Sequence, residues 1–150
     1  MSSNEEHNYK VNIEWKDGRT GTMSSPQLDV AMDVATPPEF PGGVEGVWSP
    51  EHLFTASVSS CFMTSFTAVA EYSKLDFSDL QIESIGTMSK ENGKFVMSKI
   101  LLKPVLTIED ESKEKKAYRL LEKAEEICLI TRSIKSEVVC EPDVKVSVQA

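Results

Sequence analysis

The chain carries little positive charge, with 16 Lys and Arg against 24 Asp and Glu in 150 residues, a formal net charge of −8. That balance argues against nucleic acid as a partner, because phosphate binding draws its affinity from clustered basic residues that release counterions. An uncharged small substrate stays open. Histidine is as scarce: only His7, near the N-terminus, and His52 are present, so a Cys-His dyad has no obvious member. The three cysteines, Cys61, Cys128 and Cys140, are odd in number and show neither a CxxC pair nor any zinc-ligand spacing. A disulfide framework, a metal site and a bound cofactor are therefore not expected. The opening MSSNEEHNYK has neither the basic start nor the apolar core of a signal peptide, and no apolar run approaches the ~18 residues of a membrane span. The expectation is a cytoplasmic protein with no membrane partner, its thiols kept reduced.

What is present is an ordinary globular mixture, 40% hydrophobic and 27% charged, long enough for one domain over 1–150 with a single core. Tyr9, Val11, Ile13 and Trp15 alternate, the turn Lys16-Asp17-Gly18 follows, and RTGTMS begins a second strand. Leu28, Val30, Met32 and Val34 predict a third. The run TPPEFPGGVEGVWSP holds too many prolines and glycines for a regular element and reads as a long loop. Ser49-Pro50-Glu51 predicts a helix start, with a capping hydroxyl, proline at the first position and an acid at the positive end of the dipole; the helix should reach about Lys74. Strands over 80–88 and 94–108 flank the turn Glu91-Asn92-Gly93. A second helix over about 112–129 has Ala117, Leu120, Leu121, Ala124, Ile127 and Cys128 on its apolar face. Val144, Val146 and Val148 close the chain. The order βββ-α-ββ-α-β, with antiparallel hairpins, predicts an α+β fold with two main helices packed on a sheet.

On the first helix Leu53, Ser57, Cys61, Thr64 and Ala68 fall on one stripe of small residues, so Cys61 is expected to face inward. A buried free cysteine is most often inert, because apolar burial raises the thiol pKa and reactivity needs the thiolate. Mid-helix, Cys61 gains little from its own helix dipole, so a working thiol there requires a cation brought to it. The arginines are Arg19, Arg119 and Arg132. Arg19 by itself reads as a surface residue of a turn, and Glu51 as a favourable first-turn acid.

The run DGRTGTMSSPQLDVAMDVATPPEFPGGVEGVWSPEHLFTASVSSCF resembles the N-terminal half of the OsmC/Ohr superfamily, the osmotically inducible and organic hydroperoxide resistance proteins. The resemblance rests on the Gly-Arg-x-Gly element, the Leu-Asp-Val strand, the Pro-x-Glu-Phe-x-Gly-Gly loop, the x-Pro-Glu-x-Leu-Phe helix start and Cys-Phe on that helix. The second half agrees through a helix ending in a cysteine before a short strand. The resemblance implies an intertwined homodimer with active sites at the subunit interface, acting as a thiol peroxidase on organic hydroperoxides in oxidative stress defence. It implies Cys61 as the peroxidatic thiol and Cys128 as the resolving thiol. Arg19 would be the activating cation, Glu51 the carboxylate that holds Arg19, and a lipoyl-type dithiol the reductant. Glu51 and Cys61 are ten residues apart, about 15 Å along a straight helix, so Arg19 or a partner subunit has to bridge them. Phe40, Trp48, Phe54, Phe62 and Met63 are candidates to line an apolar pocket for an alkyl tail.

Two departures from the hydroperoxide resistance pattern stand out. Its proline after the second cysteine is Leu129 here, and its Asn-Pro-Glu-Gln is Ser49-Pro50-Glu51-His52. They point to a different branch and leave a rival function, a non-enzymatic dimer that binds a small molecule or lipid with little turnover. Cys140 matches no family position and reads as incidental.

Overall fold

A computed structural model describes residues 5–147. The chain divides into two compact units, the first ending at Leu53 and the second beginning at Phe54.

The first unit is an antiparallel meander of β1 (Asn12–Asp17), β2 (Thr20–Ser24) and β3 (Met32–Ala35). Gly18, at φ +53, turns β1 into β2, and the Trp15 indole N–H donates to its carbonyl at 2.9 Å. β1 begins at Asn12, so Tyr9 and Val11 of the expected alternation precede it, and the row faces no core: Tyr9 is 83% exposed, Trp15 72%, and Val11 and Ile13 are exposed with them. The third strand starts four residues later than the alternation predicts. Leu28 and Val30 precede it and stay exposed, Val30 at 80%. After the proline-rich loop, Trp48 bridges to Val34, and the Ala35 N–H donates to the Trp48 carbonyl at 2.9 Å. That seats Ser49, fully buried, as the cap of α1 (Pro50–Tyr72): its Oγ accepts from the His52 N–H at 3.1 Å.

In the second unit α1 lies with β4 (Asp79–Glu91), β5 (Lys94–Ile108), α2 (Glu114–Ile127), α3 (Leu129–Ser133), β6 (Glu137–Cys140) and β7 (Asp143–Val146); a 3-10 turn, Glu111–Lys113, leads into α2. The β4–β5 hairpin turns at Asn92 and Gly93, both with positive φ, as the Asn-Gly pair predicts. Central β5 buries Ile100, Leu102, Pro104, Leu106 and Ile108 at period two. Its other edge pairs in parallel with β6 along Lys99–Leu102 and with β7 along Val105–Ile108. Between them Glu141 donates to the Leu102 carbonyl at 2.8 Å, and Pro142, with no N–H to give, ends the ladder. The sequence reading of one closing strand is corrected here to two short ones, and Val148 lies outside the described residues.

The inward face of α1 also differs from the expected stripe. Val58, Phe62, Phe66 and Ala70 are the buried residues, because large apolar side chains gain more from burial than Ser57 or Thr64 would. Thr64 and Ala68 are exposed, and Cys61 is half-buried at the margin. The hydroxyls that make this helix look polar donate to its own backbone: Ser57 to the Phe54 carbonyl at 2.7 Å and Thr64 to that of Cys61 at 3.1 Å. The helix is, by length and composition, apolar enough to cross a membrane, contrary to the sequence reading, yet its phenylalanines pack into the core formed with β5 and α2. Lys116 of α2 donates to the Ser73 carbonyl at its C-terminal end at 2.5 Å. Predicted as unbroken to 129, the second helix instead breaks at Cys128, which is extended with ψ 113°.

Gly86 of β4 sets how closely α1 approaches the sheet. A Cβ there would run into Thr55 Oγ1, lie 3.2 Å from Thr55 Cβ and 3.0 Å from Met97 Cε. Gly86→Ala is expected to lower stability by about 1–3 kcal/mol as an overpacked contact, read by urea denaturation, with Thr55→Ala in the same chain recovering part of the loss.

Candidate active site

The break at Cys128 organises the chemistry of the second unit. With Cys128 extended, α3 starts afresh, and the first N–H groups of its opening turn have no carbonyl partner within the helix. The Cys61 sulfur lies beside them. The Cys61 sulfur accepts hydrogen bonds from the Ile130 and Leu129 N–H groups, from the Cys128 thiol and from the Ser65 hydroxyl one turn further along α1. Thr131 nearby favours the Cys128 thiolate, although the Cys128 side chain makes no capping hydrogen bond to α3. Cys128 is fully buried, 0% exposed.

The two thiols are driven in opposite directions. Burial pushes the Cys61 thiol up, but the Ile130 N–H, the Cys128 thiol, the Leu129 N–H and the Ser65 hydroxyl outweigh it and hold it below the ordinary cysteine range. Burial also pushes Cys128 up, Thr131 opposes that, and contact with Cys61 adds to it, so Cys128 keeps its proton. The pair thus sets a thiol whose pKa is lowered beside one whose pKa is raised. Cys140, at the end of β6, is pushed up to about 12 by burial and by the carboxylates of Glu125 and Glu141, and is inert by comparison.

Arg19 and Glu51 belong to the first unit. The Arg19 carbonyl accepts from the Thr36 N–H at 3.3 Å, and its side chain lies along Gly42, whose φ of +79° and missing Cβ give it room: a Cβ there would stand 3.1 Å from Arg19 Cδ and 3.2 Å from Nε. Arg19, Trp15, Val34 and Pro50 line one cleft of about 240 Å3. Glu51 follows Pro50 in the first turn of α1, its Oε1 enclosed from solvent.

The proposed pocket residues separate. Phe40 is half-buried in the loop. Trp48 meets the His52 ring edge-on at 6.1 Å, and both line a cleft of about 350 Å3 with Glu45 and Pro38. Phe54 packs at the edge of the core of the second unit. Phe62 is wholly inside that core, which corrects its reading as a pocket wall, and Met63 on the next position is exposed.

Residues 43–143 match the model of the OsmC-like protein family. The chain belongs to that family. It is 28% identical over 138 residues to the Bacillus subtilis protein YmaD, covering 89% of this chain and 90% of that one. Among solved structures, an OsmC-like protein of unknown function from Vibrio cholerae superposes with a TM-score of 0.81 at 23% identity, over 91% of this chain and 99% of the other. An organic hydroperoxide resistance protein OsmC from Legionella pneumophila superposes at 0.73 with 25% identity, over 93% and 98%. The OsmC-like α+β architecture anticipated from the sequence is the one observed.

Sequence reasoning sought a cation for Cys61 and missed the donors supplied by Leu129, Ile130 and Ser65. Little in the residue identities marked the break: Leu129 follows Cys128, and the β-branched pair Ile130-Thr131 lies within α3 itself. Because proline is well accepted at the first position of a helix, Leu129→Pro is expected to keep the fold while deleting one donor. The titration of Cys61, followed by alkylation rate against pH, should move upward, and Ser65→Ala should move it the same way. Wild-type Cys61 should stay reactive to lower pH than Cys128 or Cys140, its reactivity fading only as pH falls through its depressed pKa.

Proposed function

We propose that this OsmC-like protein is a cysteine-based peroxidase that reduces organic hydroperoxides to alcohols. The observation that carries the reading is the pairing of Cys61, its pKa lowered, with the buried Cys128, its pKa raised. The Cys61 thiolate attacks one oxygen of ROOH, the O–O bond breaks, and RO− takes a proton to leave as alcohol, with Cys61 oxidised to sulfenic acid. The Cys128 sulfur then attacks the Cys61 sulfur, its proton leaving with the hydroxyl as water, to give a disulfide. A dithiol of the lipoyl class restores both thiols by exchange. In this reading Arg19 donates hydrogen bonds to the peroxide and the thiolate, Glu51 orients Arg19, and no cofactor or metal takes part.

The same proposal makes the working form a homodimer with shared sites. Tyr9, Val11, Ile13 and Trp15 leave an apolar row in water, a surface of the kind that marks an interface, and a second copy is the occupant proposed for it. The site of action is placed in the cytoplasm, in oxidative stress defence.

Stopped-flow mixing with cumene or fatty-acid hydroperoxide tests the function. Wild type should show a fast phase that Cys61→Ser abolishes, and Cys128→Ser should halt at the sulfenic acid. Arg19→Ala should slow the first step by about 10²–10³-fold, as expected for losing one preorganised donor. Wild type no faster than a free-thiol control, with an apolar ligand bound instead, would favour the non-enzymatic dimer.

A further inference from the structure

The loop before α1 leaves a cleft of about 350 Å3 in the first unit, lined by Pro38, Glu45, Gly46, Val47, Trp48 and His52, a volume at the small end of ligand sites. None of these residues belongs to the row from Tyr9 to Trp15 proposed above to meet a second copy. Trp48 is 49% exposed, yet its main chain is pinned: it bridges to Val34, and its carbonyl accepts from the Ala35 N–H at 2.9 Å. His52 is fixed from the other side. Its ring Nδ1 and the wholly buried Ser49 Oγ share a hydrogen bond of 2.6 Å, while its own N–H donates to that Oγ at 3.1 Å. The serine cap thus holds the imidazole as well as the helix. The imidazole stands at 81° to the indole, with ring centroids 6.1 Å apart, so the two rings form a corner that exists before any ligand arrives.

Among the described residues lining this corner, Glu45 carries the one permanent charge, and there is no lysine or arginine. An aromatic face attracts a cation through its ring quadrupole, and tryptophan does so best. Pro38, Gly46 and Val47 add apolar surface without a side-chain hydrogen bond. A primary ammonium would give up hydrogen bonds to water in such a place. A quaternary ammonium has no N–H to lose and presents its charge through methyl groups, which suits two rings and a carboxylate.

We propose that this corner binds a small organic cation of the quaternary ammonium class, its charged head against the Trp48 and His52 rings and Glu45 as its counter-charge. The assignment is independent of the peroxidase reading and uses neither Cys61 nor Cys128.

Choline and its uncharged isostere 3,3-dimethylbutanol, each titrated into the full chain, test it. In NMR, choline should shift the indole N–H signal of Trp48 saturably and leave that of Trp15, bonded to the Gly18 carbonyl, in place. By saturation transfer to the ligand methyls, the isostere should bind about fivefold more weakly or worse, Trp48→Leu should weaken choline about tenfold, and Trp48→Phe should keep part of the affinity. Glu45→Gln, at an exposed position, should weaken it about two- to fivefold. Equal affinity for choline and the isostere would overturn the proposal, as would unchanged choline binding in Trp48→Leu or the lack of any saturable shift. Co-sedimentation with phosphatidylcholine vesicles without binding of free choline would also overturn it, in favour of a lipid surface.

Discussion

The hydrogen bonds from the opening turn of α3 to the Cys61 sulfur are the interaction on which the chemistry of the second unit depends. A half-buried thiol in the middle of a helix is poorly placed to ionise: desolvation opposes the charge, and its own helix dipole acts mainly at the ends. The break at Cys128 changes this by freeing backbone N–H groups beside it. Backbone donors of this kind are fixed by the fold and do not reorganise when charge arrives. They also do not titrate, so they stabilise a thiolate at any pH at which the fold persists.

The break has a second consequence, because the residue that makes it is itself a thiol. Cys128 is placed next to Cys61 by the same backbone step that frees the amides, so activation and proximity come from one feature. Their opposed pKa directions have separate leading causes: burial raises Cys128, while at Cys61 the Ile130 N–H and the other donors outweigh burial, and the thiol–thiol contact adds to both. The rest of the unit holds that step in place. Leu120, Leu121 and Ala124 of α2 and Val58, Phe62 and Phe66 of α1 share one core with β5, and Gly86 allows α1 to come close to β4.

Much of the fold was legible in short-range patterns. The Asn-Gly hairpin, the alternation of β5, the Ser49-Pro50 helix start and the apolar face of α2 each follow from local chemistry. What was not legible depends on competition between segments. The small-residue stripe of α1 lost the inward position to Phe62 and Phe66, a choice decided by area buried rather than by period. The strand β6 is four residues long and takes its order from pairing with β5. In the candidate site the cysteines stood out in sequence, whereas the donors are main-chain groups, and a backbone N–H leaves almost no trace in the identity of its residue. Leu129 and Ile130 act through an atom that every residue but proline carries.

The direct test of the account is which sulfurs join on oxidation. After one equivalent of organic hydroperoxide per reduced chain, peptide mapping by mass spectrometry should find a Cys61–Cys128 disulfide in high yield, with Cys140 still a free thiol. Consumption of the peroxide with Cys61 and Cys128 both left as thiols, or with disulfides built mainly on Cys140, would contradict it.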